Sequence, residues 1–243
     1  QGLVGVATGL SVLSVEPEQV LAETGYQLRM PPGWQTFRQE RFRRDDARPK
    51  TLIAAGSFSQ KAEAKVVRVP LVTSERDPDG IGGLAIIEYF TNDSPRVSKA
   101  QVVDLLQTAF KSQPALFKYA DLGEAVEEKR GSRKYLLYQF EASRCEGAQV
   151  QGVKGKVCQR GDNGQELPTP LIHHTMLVTT APEFSLAPKD SPSTAPEVLW
   201  ILDVSAPSEI WPKLTDAVDT VLKSFGVGTE EELKALRPPP EAV

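Results

Sequence analysis

Two histidines, two cysteines and two methionines in 243 residues leave little material for several large classes of function. Numbers this small exclude a zinc-finger array, a haem-rich electron carrier and a disulfide-dense miniature scaffold. Positive charge is not in excess either. Lys and Arg total 28 against 32 Asp and Glu, a formal charge of -4, so capture of nucleic acid by bulk charge is not expected. The uncharged opening, Gly2 to Val15, falls short of the roughly 20 apolar residues that a bilayer-crossing helix needs. No G-x-S-x-G elbow is present, and Gly80, Gly82 and Gly83 lack the Lys-Ser/Thr pair of a phosphate loop.

What is present suits one folded domain with extensions. Hydrophobic residues make up 40%, enough for a core, and charged residues 25%, too few for a disordered charged tail. Residues 1–23 read as an apolar N-terminal segment: the run to Val15 is followed by polar Glu16 to Gln19 and by Val20-Leu21-Ala22, whose small last residue suits a signal peptidase, although the basic start of an export signal is missing. The segment reads as a targeting remnant, as a retained helix leaning on a membrane or a partner, or as an ordinary buried N-terminal helix. The main domain is expected over 24–227, with inserts at 143–170 and 182–196. Residues 228–243 read as a short helix and a proline-rich tail.

Tyr26 to Pro31 alternates apolar and polar residues before Pro32-Gly33, and Trp34 to Gln39 is expected to return as the second strand of a hairpin. Thr51 to Phe58, Ala64 to Val72 and Leu84 to Phe90 are further expected strands, rich in Val, Ile and Phe. The capping box Ser98-Lys99-Ala100-Gln101 starts a helix to about residue 110, with Val102, Leu105, Leu106, Ala109 and Phe110 on one face. Lys134 to Ala142, His174 to Ala181 and Val198 to Val204 have the apolar density of central strands in one sheet. After Ser208, the residues Trp211, Leu214, Val218, Val221, Leu222 and Phe225 trace a helical stripe that Gly226 stops. A second capping box, Thr229 to Glu232, opens a short last helix. Pro182 to Pro196 is too proline-dense for a sheet and is expected at the surface. Strands and helices do not alternate regularly, so the expected class is α+β, a mainly antiparallel sheet sandwiched by α-helices.

Cys145 and Cys158 are expected to face each other across a hairpin that turns at Gln151-Gly152. That register makes 145/158 a non-hydrogen-bonded pair with Cα atoms about 4.5 Å apart, which a disulfide can close. It also puts Val150, Val153 and Val157 on one face, free to bury, and Cys145, Lys154, Lys156 and Cys158 on the other. A loop of this size is worth about 3 kcal/mol in chain entropy, and a disulfide implies an exported or lumenal compartment. Reduced thiols and a redox switch are the alternatives.

Candidate chemistry is sparse. His173 and His174, as neighbours on a strand, point to opposite sheet faces and do not share a metal readily. No nearby Cys or Asp completes a nucleophile set, so a turn or surface role is expected for them. Asp77, Asp79 and Glu88 match positions 1, 3 and 12 of a calcium loop, with Gly82 at 6, but Ile81 occupies a ligand position and the flanks read as strands rather than helices. A solvated turn is favoured over calcium there, and no cofactor is expected. Charge is polarised: from Gly25 to Arg76 eleven Lys or Arg oppose five Asp or Glu, leaving a balance of -10 elsewhere. Arg38, Arg41, Arg43, Arg44, Arg48 and Lys50, beside Phe37 and Phe42, form a candidate docking patch for an acidic protein surface. A solvated loop is the plainer alternative.

The run Gly25-Tyr26-Gln27-Leu28-Arg29-Met30-Pro31-Pro32-Gly33-Trp34 resembles the opening of the PsbP and PsbP-like proteins of oxygenic photosynthesis. Leu199 to Val227, with Trp200, Trp211 and Ser224-Phe225-Gly226-Val227, is similar to that family's closing strand, helix and S-F-x-V ending. The helix at Ser98 and the strand Tyr135 to Glu141 add weaker matches. The resemblance spans about residues 24 to 227 and implies an antiparallel sheet between helices, a chloroplast thylakoid-lumen address, peripheral attachment through partner proteins and no catalysis. The N-terminal stretch with which true PsbP helps retain calcium and chloride is not recognisable in Ser14 to Thr24, and both inserts are extra, so no ion-retention residue carries over. The expected role is therefore an accessory or assembly subunit of photosystem II. A photosystem I assembly factor, a lumenal subunit of the chloroplast dehydrogenase complex, or a small lumenal enzyme or calcium or manganese carrier are the alternatives.

Overall fold

The computed structural model describes residues 19–23, 25–40, 49–71, 82–153, 155–160, 164–182 and 197–235. In chain order the elements are β1 (Gln19–Glu23), β2 (Tyr26–Met30), β3 (Gln35–Gln39), β4 (Lys50–Ser57), β5 (Ala62–Pro70), α1 (Gly83–Thr91), α2 (Lys99–Lys111), β6 (Leu116–Asp121), β7 (Val126–Arg130), β8 (Arg133–Arg144), β9 (Ala148–Gly152), β10 (Gly155–Arg160), β11 (Gln165–Glu166), β12 (Ile172–Pro182), β13 (Glu197–Pro207), α3 (Thr215–Ser224), β14 (Gly226–Val227) and α4 (Glu230–Ala235). An eight-stranded antiparallel sheet runs β3-β4-β5-β13-β12-β8-β6, with β7 also on β8. Two three-stranded sheets, β1-β2-β14 and β11-β10-β9, complete the α+β architecture.

The period of two in the long strands decides what each face of the large sheet carries. Along β13, Trp200, Leu202, Val204 and Ala206 bury with Tyr26, Leu28, Trp34, Val221 and Phe225, under the small sheet and α3. Leu199 joins Ile86, Tyr89, Val102, Leu106, Phe140, Met176 and Val178 on the opposite face, under α1 and α2. The sheet is thus covered on both sides. Each fully buried side chain of this size contributes about 1.5–3 kcal/mol of transfer free energy. Ser98 caps α2 as its sequence requires: its hydroxyl accepts the Gln101 N–H at 3.3 Å, and Gln101 Oε1 accepts the Ser98 N–H at 2.9 Å.

Several expectations change. Leu84 to Phe90 lies in helix α1, not a strand, and buries Ile86, Tyr89 and Phe90 at helical spacing. Its aromatic and β-branched composition imitates a strand, while its three- and four-residue periodicity is that of a helix. The hairpin of Tyr26 to Pro31 with Trp34 to Gln39 does not form. β2 pairs with β1 and β14, and β3 with β4. The turn in which the Trp34 N–H donates to Pro31 O at 3.1 Å, with Gly33 at φ 79°, sends the chain from the small sheet to the large one. The stripe after Ser208 divides into a 3₁₀ turn at Trp211–Lys213 and α3, separated at Leu214. Strand β7 is charged and mostly exposed and β6 is short and only half-buried, so neither carried a pattern strong enough to be foreseen. Gln19–Glu23, in the segment read as a leader or helix, is strand β1. The apolar stretch before it and the excursion at 183–196 lie outside the described residues.

Candidate functional site

Of the expected docking patch, the described residues are Arg38 and Lys50; Arg41, Arg43, Arg44 and Arg48 lie outside them. Arg38 sits on β3, the outermost strand of the large sheet, whose five residues are all exposed. Its guanidinium bonds the Glu40 carboxylate, and Lys50 Nζ stands 3.8 Å from the same carboxylate. One acid therefore bridges both ends of the described patch. Phe37 packs on Phe58 with ring centroids 4.3 Å apart, and both rings are exposed. Of the calcium-loop residues, Asp77 and Asp79 lie outside the described residues. Glu88 is in α1, where its Oε1 accepts the Arg96 N–H at 2.9 Å. Among the described residues no three His, Cys, Asp or Glu side chains are grouped as metal ligands.

Cys145 and Cys158 are joined, with Cα atoms 5.5 Å apart, but not across a shared ladder rung. The β9–β10 register pairs Gly152 with Gly155, Val150 with Val157 and Gln149 with Cys158. The turn lies two residues later than expected, because Gly155 at φ 120° supplies the conformation that closes the hairpin. Burial differs as well: both cysteines are buried, Val150 and Val157 are half-buried, and Val153 at the tip is fully exposed. Cys145 follows the end of β8 and donates its N–H to Ala115 O at 2.9 Å. Cys158 O accepts the Leu167 N–H at 2.7 Å. The disulfide thereby fastens the small β9–β11 sheet to the end of β8.

The two histidines lie inside β12 rather than in a turn, both partly buried, and on opposite faces. His173 stacks on Trp211 with centroids 3.9 Å apart. Burial holds its pKa below the ordinary imidazole range, with Glu141 opposing that and His174 adding to it. His174 stacks on Phe140 at 4.8 Å and meets the edge of Phe110 at 5.7 Å. Its Nδ1 lies 3.0 and 3.2 Å from the two carboxylate oxygens of Asp203 on β13. With the Nδ1 proton donated to that carboxylate, Nε2 is left as the second hydrogen-bonding atom of the ring. Asp203 was absent from the sequence reading because it is 29 residues from His174; the available signal was an acid within the otherwise apolar run Val198 to Val204.

These residues belong to a larger concavity. Lys65, Ala142, Arg144, Ile172, His174, Asp203 and Ser205 line a space of about 510 Å³ with Phe110, Glu146, Pro168 and Pro170. All seven strand residues share the α1–α2 face of the large sheet by alternation with Val67, Phe140, Met176 and Leu199. Phe110, near the end of α2, is one wall, and the disulfide-anchored chain supplies Arg144, Glu146 and Pro168 as another. Ser205 and His174 line the same concavity, from neighbouring strands β13 and β12.

No known family's sequence profile matches this chain, and no curated protein matches it. Among solved structures, it is similar to the cyanobacterial PsbP (CyanoP) of Synechocystis sp. PCC 6803, at 15% identity and a TM-score of 0.46 over 93% of this chain and 100% of that one. It is similar also to LpqN, involved in cell envelope biogenesis of Mycobacterium tuberculosis, at 12% identity and a TM-score of 0.40 over 87% and 90% of the two chains. Both scores lie under 0.5; the fold assignment rests on sheet order and register alone. No described helix is long and apolar enough to cross a membrane.

Proposed function

We propose that this chain is a non-catalytic accessory or assembly protein of the lumenal face of photosystem II in chloroplast thylakoids, attached through partner proteins. One observation carries the reading. The two stretches through which the sequence resembles the PsbP proteins, at opposite ends of the domain, pack on each other: β2 pairs with β14, Gln27 opposite Gly226 and Tyr26 opposite Val227. Arg29 N–H donates to Ser224 Oγ at 2.9 Å, and the Tyr26 and Trp200 rings lie 5.8 Å apart. That the two stretches close one unit supports reading them together. A disulfide in a chain with two cysteines suits an oxidising compartment. In this reading the basic run Arg38 to Lys50, with Arg41, Arg43, Arg44 and Arg48, meets an acidic surface of the partner complex.

The test is copurification from gently solubilised thylakoids with mass spectrometry of partners, for the native chain and for Arg43→Glu/Arg44→Glu. Co-migration with photosystem II, weakened by salt and by the charge reversal, is the expected result. Recovery with photosystem I or the dehydrogenase complex would transfer the role to that complex, and migration alone would end it. Calorimetry with calcium and manganese addresses Asp77, Asp79 and Glu88: tight stoichiometric binding abolished by Asp77→Ala would replace this reading with an ion carrier.

A further inference from the structure

We propose that the concavity around His174 is a binding site for a small aromatic carboxylate that also carries a hydroxyl group. Its chemistry is divided in the way such a ligand requires. Phe110, Ala142, Ile172, Pro168 and Pro170 offer apolar walls to a ring. His174, fixed through Nδ1 by Asp203, offers Nε2 to a hydroxyl group, which can donate or accept. Arg144 at the exposed rim gives one N–H to Gln113 Oε1 and keeps others for a carboxylate. Lys65 lends further positive charge, though Glu63 is 2.6 Å from its ammonium group. Of the acids present, Asp203 is engaged by His174, and Glu146 stands exposed at the rim. The volume of about 510 Å³ lies within the range of small-molecule sites.

The position follows from the fold. Helices α1 and α2 cover one part of this sheet face, where the strand residues are apolar, and the concavity occupies the uncovered remainder, where the same alternation presents Lys65, Asp203, Ser205 and His174. A polar group at the core-facing positions of long strands costs stability unless it is paired or used.

The probe is 4-hydroxybenzoate, with benzoate and phenol as partial ligands, titrated into the full chain and followed by NMR. Saturable shifts of the His174 and Phe110 ring signals are expected with 4-hydroxybenzoate. Benzoate and phenol should each bind about tenfold more weakly, one polar pairing being lost in each case. Arg144→Glu should weaken 4-hydroxybenzoate by about tenfold and leave phenol unchanged. His174→Phe, which keeps a ring on Phe140, should reduce 4-hydroxybenzoate to the level of benzoate. Absence of saturation at millimolar probe, shifts confined to another surface, or native affinity in Arg144→Glu would each overturn the proposal. Arg144 is exposed, so its variant gives an answer even if His174→Phe does not fold. Failure here leaves attachment to the photosynthetic complex untouched, because copurification reads that separately.

Discussion

Tyr135 Oη accepts the backbone N–H of Val227 at 3.0 Å, across 92 residues of chain. The phenol is wholly buried, and burial raises its pKa, so the hydroxyl stays neutral over the working range. Arg130 stands over the same ring at 5.1 Å and donates to Leu222 O and Phe225 O at 2.7 and 2.8 Å. The end of α3 and β14 are thus held by side chains of β7 and β8 where helix geometry leaves carbonyls unpaired. Tyr135→Phe keeps the ring and strands the Val227 N–H, with an expected loss of about 1–3 kcal/mol. Urea denaturation measures it, and an unchanged midpoint would show that the bond contributes nothing.

Helix α4 is held by the buried Leu233 and by one acid, Glu232. Burial pushes the Glu232 pKa up, but the Thr229 N–H and the Arg133 guanidinium outweigh it, so the folded carboxyl lies below its ordinary 4.5. Thr229 N–H donates at 2.7 Å and Arg133 at 3.1 Å. A depressed carboxyl stabilises the folded state above the unfolded pKa and loses that contribution as pH falls through the folded value. The attachment of α4 should therefore weaken below about pH 4.5, and Glu232→Gln should weaken it already at neutral pH. Amide exchange at Leu233 reports this directly; equal protection at pH 7 and pH 3 would contradict it.

What the sequence made legible was whatever one element decides alone. The Ser98 and Thr229 capping boxes and the apolar strands around Tyr138, Val178 and Leu202 are local patterns, and their positions held to within a few residues. Strands β6 and β7 gave no such pattern, since their place depends on pairing with β8. The cysteine hairpin shows the same limit: its turn, beside Gly155 at φ 120°, lies two residues later than expected, and both cysteines are buried while the valines are at most half-buried. The concavity was illegible for a stronger reason. His174 and Asp203 belong to different strands, and only the finished sheet makes them neighbours.

Glu197, first residue of β13, shows the opposite pH behaviour to Glu232. Burial raises its pKa, with Arg133 and the nearby Thr180 hydroxyl opposing. A raised carboxyl binds its proton more tightly when folded, so the charged form costs stability at neutral pH. That cost disappears as pH falls through the folded pKa towards the ordinary 4.5. Glu197→Gln removes the charge and should raise the melting temperature at pH 7 while leaving it unchanged near pH 4. A lower melting temperature at pH 7 would mean that attraction to Arg133 outweighs the burial.

The disulfide makes a prediction that is local rather than global. The β9–β11 sheet shares no ladder with the large sheet and is tied to it through Cys145–Cys158 and the Gln149 side chain, which donates to Pro114 O and Leu116 O at 3.2 and 3.0 Å. A 13-residue closed loop is worth about 3 kcal/mol of chain entropy. Reduction, or Cys145→Ser with Cys158→Ser, should therefore release residues 145–167 while β12 and β13 keep their protection. Hydrogen exchange read by mass spectrometry separates the two regions. Because Arg144, Glu146 and Pro168 line the concavity, the same reduction should weaken 4-hydroxybenzoate binding. Loss of protection in β12 and β13 in parallel with 145–167 would instead show that the bond supports the whole fold.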